Sequence, residues 1–173
     1  MNPGQSATGR EPPWNINVVV EIPLHRGGVG ESEVSVYYPG NFGFIPETAM
    51  ADGESCPVLV VGSVSVLPGA ILRSRPIGVL TLADQQGGAH IRLIAVPRDR
   101  LHPFFAHTSS FDSLPAALLD QIVDFFQSIR DTGDNQPLQV VEWGDAETAA
   151  RLIAEAAARY HATGEDRSTR VAC

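Results

Sequence analysis

The chain contains no lysine: all 12 of its basic residues are arginine. Any permanently charged side chain that binds a phosphate group must therefore be a guanidinium, which is planar. The 20 acidic residues outnumber the basic ones and give a formal charge of -8. Because such an excess repels nucleic-acid phosphates and anionic lipid surfaces, we expect neither nucleic acid nor a membrane as a partner.

Cysteine and long apolar runs are also scarce. The two cysteines, Cys56 and Cys173, lie far apart in the sequence, so we expect no structural disulfide. No run approaches the roughly 18 apolar residues that a membrane-spanning helix needs. The polar start, residues 1–13, lacks the charged and apolar regions of a signal peptide. These absences predict a cytoplasmic location.

The apolar residues are concentrated in short runs. These runs are rich in β-branched residues and are separated by glycine, proline and aspartate, which is typical of a compact antiparallel barrel. They read NVVVEIP, SEVSVYYPG, PVLVVG, AILRSRPIGVLTLAD, AHIRLIAVP and PLQVVEW. Helical periodicity predicts two helices near the end of the chain, over 112–130 and 145–161. We therefore expect a small barrel flanked by two helices.

A single domain is expected to occupy most of the chain. Residues 1–13 contain glycine, serine and proline without periodicity, which predicts a disordered leader. Residues 14–163 are predicted to form the barrel domain, and 164–173 a flexible tail.

Three carboxylates are candidates for a cation site. Asp52 and Glu54 are two residues apart, so on an extended backbone they point to the same side and can share a cation. Asp84 ends another predicted strand, and a barrel can bring it to the same mouth. The alternative is that Asp52 and Asp84 are turn residues, since aspartate is common in turns for local hydrogen-bonding reasons. Spacing alone leaves both interpretations open.

Six segments resemble, in their order and spacing, those of the soluble family I inorganic pyrophosphatases: NVVVEIP, YYPGNFGFIPETAMADGES, PGAILRSRPIGVLTLAD, RLIAVP, FFQSIRD and VVEWGDAETA. The resemblance implies a mainly β fold with α-helices, in which a five-stranded OB-like closed barrel is flanked by two α-helices. It also implies a polar pocket at the barrel mouth, where the family binds several magnesium ions and splits pyrophosphate with a metal-activated water. By the same resemblance we expect a homo-oligomer.

Site residues follow from the resemblance position by position. Six positions match the family or are conservatively changed, and two of them are arginines that stand where the family has phosphate-binding lysines: Glu21, Tyr38, Asp52, Asp84, Arg92 and Arg130.

Other positions depart from the family pattern. The metal signature Asp-x-Asp-Pro-x-Asp becomes DGESCP, so Glu54 supplies the second carboxylate and Pro57 falls where the third belongs. His90 stands where a bridging aspartate is expected, and Phe42 and Ile129 replace two tyrosines. An imidazole can ligate a metal but contributes no negative charge.

The missing anionic ligands weigh against ordinary family chemistry. Several magnesium ions around one polyanion need extensive carboxylate neutralisation, and adjacent dications repel one another in a low dielectric. We therefore predict weak or absent pyrophosphate hydrolysis. The predicted cofactor is at most one weakly bound magnesium ion, with Asp52, Glu54 and Asp84 as its ligands.

The leading hypothesis is a pocket repurposed for acid or base chemistry on a small organic metabolite in biosynthesis, such as elimination, isomerisation or cyclisation. Its catalytic residues are Glu21, Glu54 and His90. Of these, His90 is the natural proton carrier, because an unperturbed imidazole titrates at about pH 6.5. Five residues are predicted to contact substrate or phosphate: Tyr38, Phe42, Arg92, Ile129 and Arg130. Two alternatives are a residual magnesium-dependent pyrophosphatase or phosphatase, and a non-catalytic module that binds a small molecule or a partner.

His90 and Cys56 also have simpler interpretations, in which neither residue has a role in the site. His90 follows Gly-Gly-Ala and can be an exposed histidine at a strand edge. Cys56 interrupts the metal signature, and the simpler interpretation makes it a small buried core residue.

Overall fold

The computed structural model describes residues 13–23, 39–62, 64–98, 103–128 and 138–170, with side chains described through residue 163. Six strands lie in this part of the chain: β1 Ile16–Ile22, β2 Gly40–Ile45, β3 Cys56–Val61, β4 Ile71–Ala83, β5 Ala89–Pro97 and β6 Gln139–Gly144. The helices described are α1 Ala116–Ser128 and α2 Ala146–Arg170, with two short 3-10 helices, Pro103–Phe105 and Phe111–Ser113.

Five strands close into a ring. The order is β1-β2-β3-β5-β4, and β4 pairs back with β1, while β6 adds to the far end of β4. All pairings are antiparallel except that of β3 with β5. The 13 residues of β4 make this closure possible, because its first residues pair with β1 and its last residues with β6. The predicted five-stranded OB-like barrel with two helices is confirmed.

Alternation along the strands buries both faces of the sheet. On β3, Leu59 and Val61 belong to a core cluster with Phe126 of α1. Val58 and Val60 belong to a second cluster, which contains Ile153 of α2. The apolar run PVLVVG is continuous because each face of this strand is covered by a helix.

The strand β2 is not predicted by the apolar runs. Two of its six residues are glycine, which is depleted in strands. A Cβ on Gly40 would overlap the carbonyl oxygen of Val60, and a Cβ on Gly43 that of Val19. These glycines therefore permit close backbone approach rather than a turn. The predicted strand over 32–40 lies outside the described residues except for its last two.

The helix ends differ from the prediction. The helix α1 begins at Ala116 rather than at residue 112, because Pro115 follows a 3-10 turn and supplies the first accepting carbonyl. Asp145 caps α2: its Oδ1 accepts hydrogen bonds from the Thr148 backbone N–H at 2.8 Å and from its hydroxyl at 2.7 Å.

The second helix also continues past its predicted end at His161 and through Gly164 to Arg170. The predicted tail, 164–173, therefore starts within this helix, and residues 171–173 lie outside the described part. In the part of the chain that the structure describes, no helix combines the length and apolarity needed to cross a bilayer.

Candidate functional site

An open cavity of about 920 Å³ lies against β1, β2, β5 and the loop that joins β2 to β3. Seven residues singled out in the sequence line this cavity: Glu21, Phe42, Asp52, Glu54, Pro57, His90 and Arg92. The barrel thus brings together side chains from four separate segments of the chain.

The strands β1 and β2 supply one wall. Along β1, Ile16, Val18 and Val20 are buried in alternation, so Glu21 faces the other way, is exposed and lines the cavity. Phe42 of β2 also lines the cavity, and its ring meets that of Phe126 edge-on, with 6.3 Å between the centroids. Phe42 is therefore part of the cavity wall and part of the core packing at once.

The loop that carries Asp52 and Glu54 is a tight turn. The Gly53 N–H donates to the Met50 carbonyl at 3.0 Å, and the Met50 N–H donates to the Glu54 carbonyl at 2.7 Å. Gly53 has a φ of 87°, which favours glycine. Oδ1 of Asp52 accepts a hydrogen bond from the Glu54 N–H at 3.0 Å. Asp52 is thus a turn residue, and it lines the cavity as well.

Thr48 joins the two ends of this loop. Its buried hydroxyl donates to the Ile45 carbonyl at 2.6 Å and accepts from the Cys56 N–H at 3.0 Å. Cys56 is fully buried in the core, with its Sγ 3.3 Å from the Met50 Sδ. Burial raises the pKa of the Cys56 thiol, which keeps it protonated. The structure agrees with the interpretation of Cys56 as a small core residue.

Asp84 organises the turn between β4 and β5. Its Oδ1 accepts hydrogen bonds from the Gln86 N–H at 2.9 Å and the Gly88 N–H at 2.7 Å, while its Oδ2 lies 3.0 Å from Nε2 of His90. The His90 contact, followed by the Gly88 bond, lowers the pKa of the Asp84 carboxyl. Asp84 itself is not among the residues that line the cavity; it reaches the cavity through His90.

His90 and Arg92 lie two residues apart on β5, so their side chains share one face. Both line the cavity. The Arg92 Nη1 also donates to the Ile91 carbonyl at 3.0 Å. The His90 side chain is 29% exposed, so it borders the open space while its Nε2 faces Asp84. His90 thus combines a contact to Asp84 with a position on the cavity wall.

Three predicted substrate contacts, Tyr38, Ile129 and Arg130, lie outside the described residues. Several lining residues were not singled out in the sequence, among them Phe44 and Met50. Phe44 follows Phe42 by two residues, so strand alternation is the signal that would have found it. Met50 carries no such signal.

The acidic residues of the cavity suit a hard cation. Glu21, Asp52 and Glu54 offer only oxygen ligands, which magnesium prefers. In the part of the chain that the structure describes, no three histidine, cysteine or acidic side chains lie close enough together to hold an ion by themselves. Magnesium is commonly held by one or two carboxylates together with waters and substrate phosphates. The donor set therefore fits an ion shared between the protein and a phosphate ligand.

Comparison with known proteins gives consistent matches. The inorganic pyrophosphatase family model matches residues 30–161. An inorganic pyrophosphatase of Caulobacter vibrioides is 36% identical over 177 residues, covering 93% of this chain and 98% of the relative. One from Pseudomonas aeruginosa is 34% identical over 175 residues, covering 92% of this chain and 99% of the relative.

Solved structures are also similar to this chain over most of its length. An inorganic phosphatase from Anaplasma phagocytophilum is 30% identical with a TM-score of 0.77, and the match covers 89% of this chain and 98% of that structure. An inorganic pyrophosphatase from Coxiella burnetii is 28% identical with a TM-score of 0.76, covering 88% and 98% respectively.

These relatives overturn the hypothesis of a pocket repurposed for elimination, isomerisation or cyclisation of an organic metabolite, which is wrong. Relatives that match nearly the whole chain are named inorganic pyrophosphatases, at 36% and 34% identity. The hypothesis gave most weight to the ligands that Pro57 and His90 replace. It gave too little to the carboxylates and the guanidinium that the barrel still gathers around one cavity.

Proposed function

Since the chain belongs to the family I inorganic pyrophosphatases, we propose that it hydrolyses inorganic pyrophosphate to two phosphate ions with the help of a divalent metal ion. One observation carries the proposal: three carboxylates and one guanidinium, from β1, the β2–β3 loop and β5, line a single open cavity. The relatives' names supply the reaction, and the cavity supplies the groups that it needs.

The negative charge of the cavity wall is the reason for proposing a metal ion. Glu21, Asp52 and Glu54 line the cavity, so its wall carries negative charge, which repels a polyanion. A polyanionic substrate therefore enters together with cations. Bound magnesium supplies charge neutralisation and a water of lowered pKa. Asp52 and Glu54 are the proposed protein ligands, because they lie on one tight turn beside the cavity.

Arg92 is the proposed phosphate-binding residue. A guanidinium is permanently charged and can bond two phosphate oxygens at once. Glu21 and His90 border the same space, and they are the proposed residues for proton exchange with water or phosphate. Asp84 can join as a metal ligand only through Oδ2, because the turn donors Gln86 and Gly88 already bond Oδ1.

A direct assay tests the proposal. We expect the purified full chain to release phosphate from pyrophosphate in the presence of magnesium. This release should stop when EDTA removes the metal. Asp52→Asn and Glu54→Gln should each lower turnover by about 10²-fold or more. Asp120→Asn, which removes an exposed carboxylate on α1, is the matched control and should leave turnover unchanged. No phosphate release with magnesium, manganese or cobalt would refute the proposal.

The homo-oligomer and the cytoplasmic location stay predictions from the sequence and the family resemblance. Sedimentation velocity of the purified chain tests the first, and imaging of a tagged chain in its own cells tests the second.

A further inference from the structure

The helix α2 is hydrogen-bonded to the β2–β3 loop at the backbone of Ala49. The Ala49 N–H donates to the carbonyl of Ala156 at 3.0 Å. The Ala49 carbonyl accepts from Nη1 of Arg159 at 2.8 Å. Arg159 lies 110 residues from Ala49 in the sequence. Both polar groups of Ala49 are thus bonded to consecutive turns of the same helix.

Small side chains make this contact possible. Ala149 and Ala156 are buried on the inner face of α2, in the same cluster as Ile45 and Cys56 at the two ends of the loop. A loop N–H can reach a carbonyl in the middle of a helix only where the neighbouring side chains of the helix are short. Alanine at 156 meets this requirement.

Ala49 immediately precedes the turn that carries the two cavity carboxylates. That turn begins at Met50, whose N–H and carbonyl bond the Glu54 carbonyl and the Gly53 N–H. A residue that fixes Ala49 therefore fixes the start of the turn, just as Thr48 fixes its base.

We propose that Arg159 is a positioning residue for pyrophosphate hydrolysis. It is not among the residues that line the cavity in the described part of the chain. It acts by holding Ala49, so that Asp52 and Glu54 face the cavity before metal arrives. The inference rests on the proposed function, because it assigns these two carboxylates to the metal.

The expected consequence is weaker metal binding rather than unfolding. Two carboxylates bind one ion well only when they are held together, and a loosened loop must be ordered again at each binding event. Loss of one hydrogen bond from a charged donor corresponds to about a tenfold change in an equilibrium constant. The core beneath the loop keeps Thr48 and Cys56 in place.

The experiment measures the binding of manganese in the absence of substrate. Electron paramagnetic resonance reports the concentration of the free ion. We expect Arg159→Met to weaken manganese affinity about tenfold, with a melting temperature close to that of the parent. Arg159→Lys should recover part of the affinity, because an ammonium group can still donate to the Ala49 carbonyl. Arg151→Met changes an exposed arginine of the same helix and should bind manganese as the parent does.

The outcomes separate the two claims. A parent chain that neither binds manganese nor hydrolyses pyrophosphate refutes the proposed function. An active parent together with parent-like affinity in Arg159→Met refutes only the positioning role. Should Arg159→Met not fold, Arg159→Leu, whose side chain likewise has no hydrogen-bond donor, carries the same test, and unchanged affinity in that variant refutes the positioning role equally.

Discussion

Nε2 of His90 lies 3.0 Å from Oδ2 of Asp84, so the residue that starts the β4–β5 turn is bonded to a residue that lines the cavity. The contact therefore connects the β4–β5 hairpin to the wall of the cavity. Two alternatives that the sequence left open for Asp84, a turn residue and a site residue, are therefore compatible.

The lowered pKa of Asp84 predicts a pH-dependent effect of its removal. A carboxyl whose pKa is lowered on folding stabilises the fold above its unfolded pKa, and this stabilisation is lost as the pH falls through the folded pKa. Asp84→Asn should therefore lower the melting temperature at pH 7, and the difference from the parent should shrink below about pH 4. Thermal melts from pH 7 to 3 measure it, with Asp120→Asn as control. A difference that stays constant over this range would contradict the assignment.

The positive charge of Arg92 should contribute more to activity than the shape of its guanidinium group. In the family resemblance a lysine stands at this position, so Arg92→Lys should keep most of the activity, while Arg92→Met should lower kcat/KM by about 10²-fold. Steady-state kinetics at saturating magnesium provide the measurement. Arg73→Met removes an exposed arginine of β4 that is not among the cavity residues and should behave as the parent. Equal losses in the Arg92 and Arg73 variants would mean that net charge, rather than a phosphate contact, is what counts.

Most of the barrel could be predicted from the sequence, because its central strands are buried on both faces. The run of β3, the part of β4 after Arg75 and the part of β5 after Arg92 are mostly apolar, and turn residues mark where β4 and β5 meet. The strand β2 could not be predicted, since its glycines are explained only by neighbours from distant segments. The end of α2 was missed for a different reason: Gly164 suggests a helix stop that the structure does not make.

The site was predictable where spacing alone determines geometry. His90 and Arg92, two residues apart on β5, line one cavity. Asp52 and Glu54 line it as well, but on a tight turn rather than on the extended backbone from which their shared side was predicted. Contacts that depend on tertiary structure were not predictable. The hydrogen bond of Arg159 to Ala49 spans 110 residues, and no sequence pattern indicates it.

The close approach at Gly40 predicts that an added methyl group destabilises the barrel. A Cβ at this position would overlap the Val60 carbonyl oxygen, which belongs to the paired strand and cannot move alone. Gly40→Ala should therefore lower the free energy of unfolding by about 1–3 kcal/mol. Gly62→Ala is the matched control, because its Cβ would meet only the Pro97 side chain at 3.6 Å, an ordinary contact. Urea unfolding of both variants measures the difference, and equal stability would contradict the role of Gly40.

The packing of α2 on the barrel predicts a link between stability and metal binding at Ala156. Its side chain is 1% exposed and its carbonyl accepts the Ala49 N–H. Ala156→Leu should lower the free energy of unfolding by about 1–3 kcal/mol through overpacking. It should also weaken manganese binding, because the larger side chain pushes α2 away from the loop. Ala154→Leu makes the same change on the exposed face of α2 and should do neither. Urea unfolding and manganese titration of the two variants distinguish the effects. Lost stability with unchanged metal affinity would mean that the helix supports the core without positioning the loop.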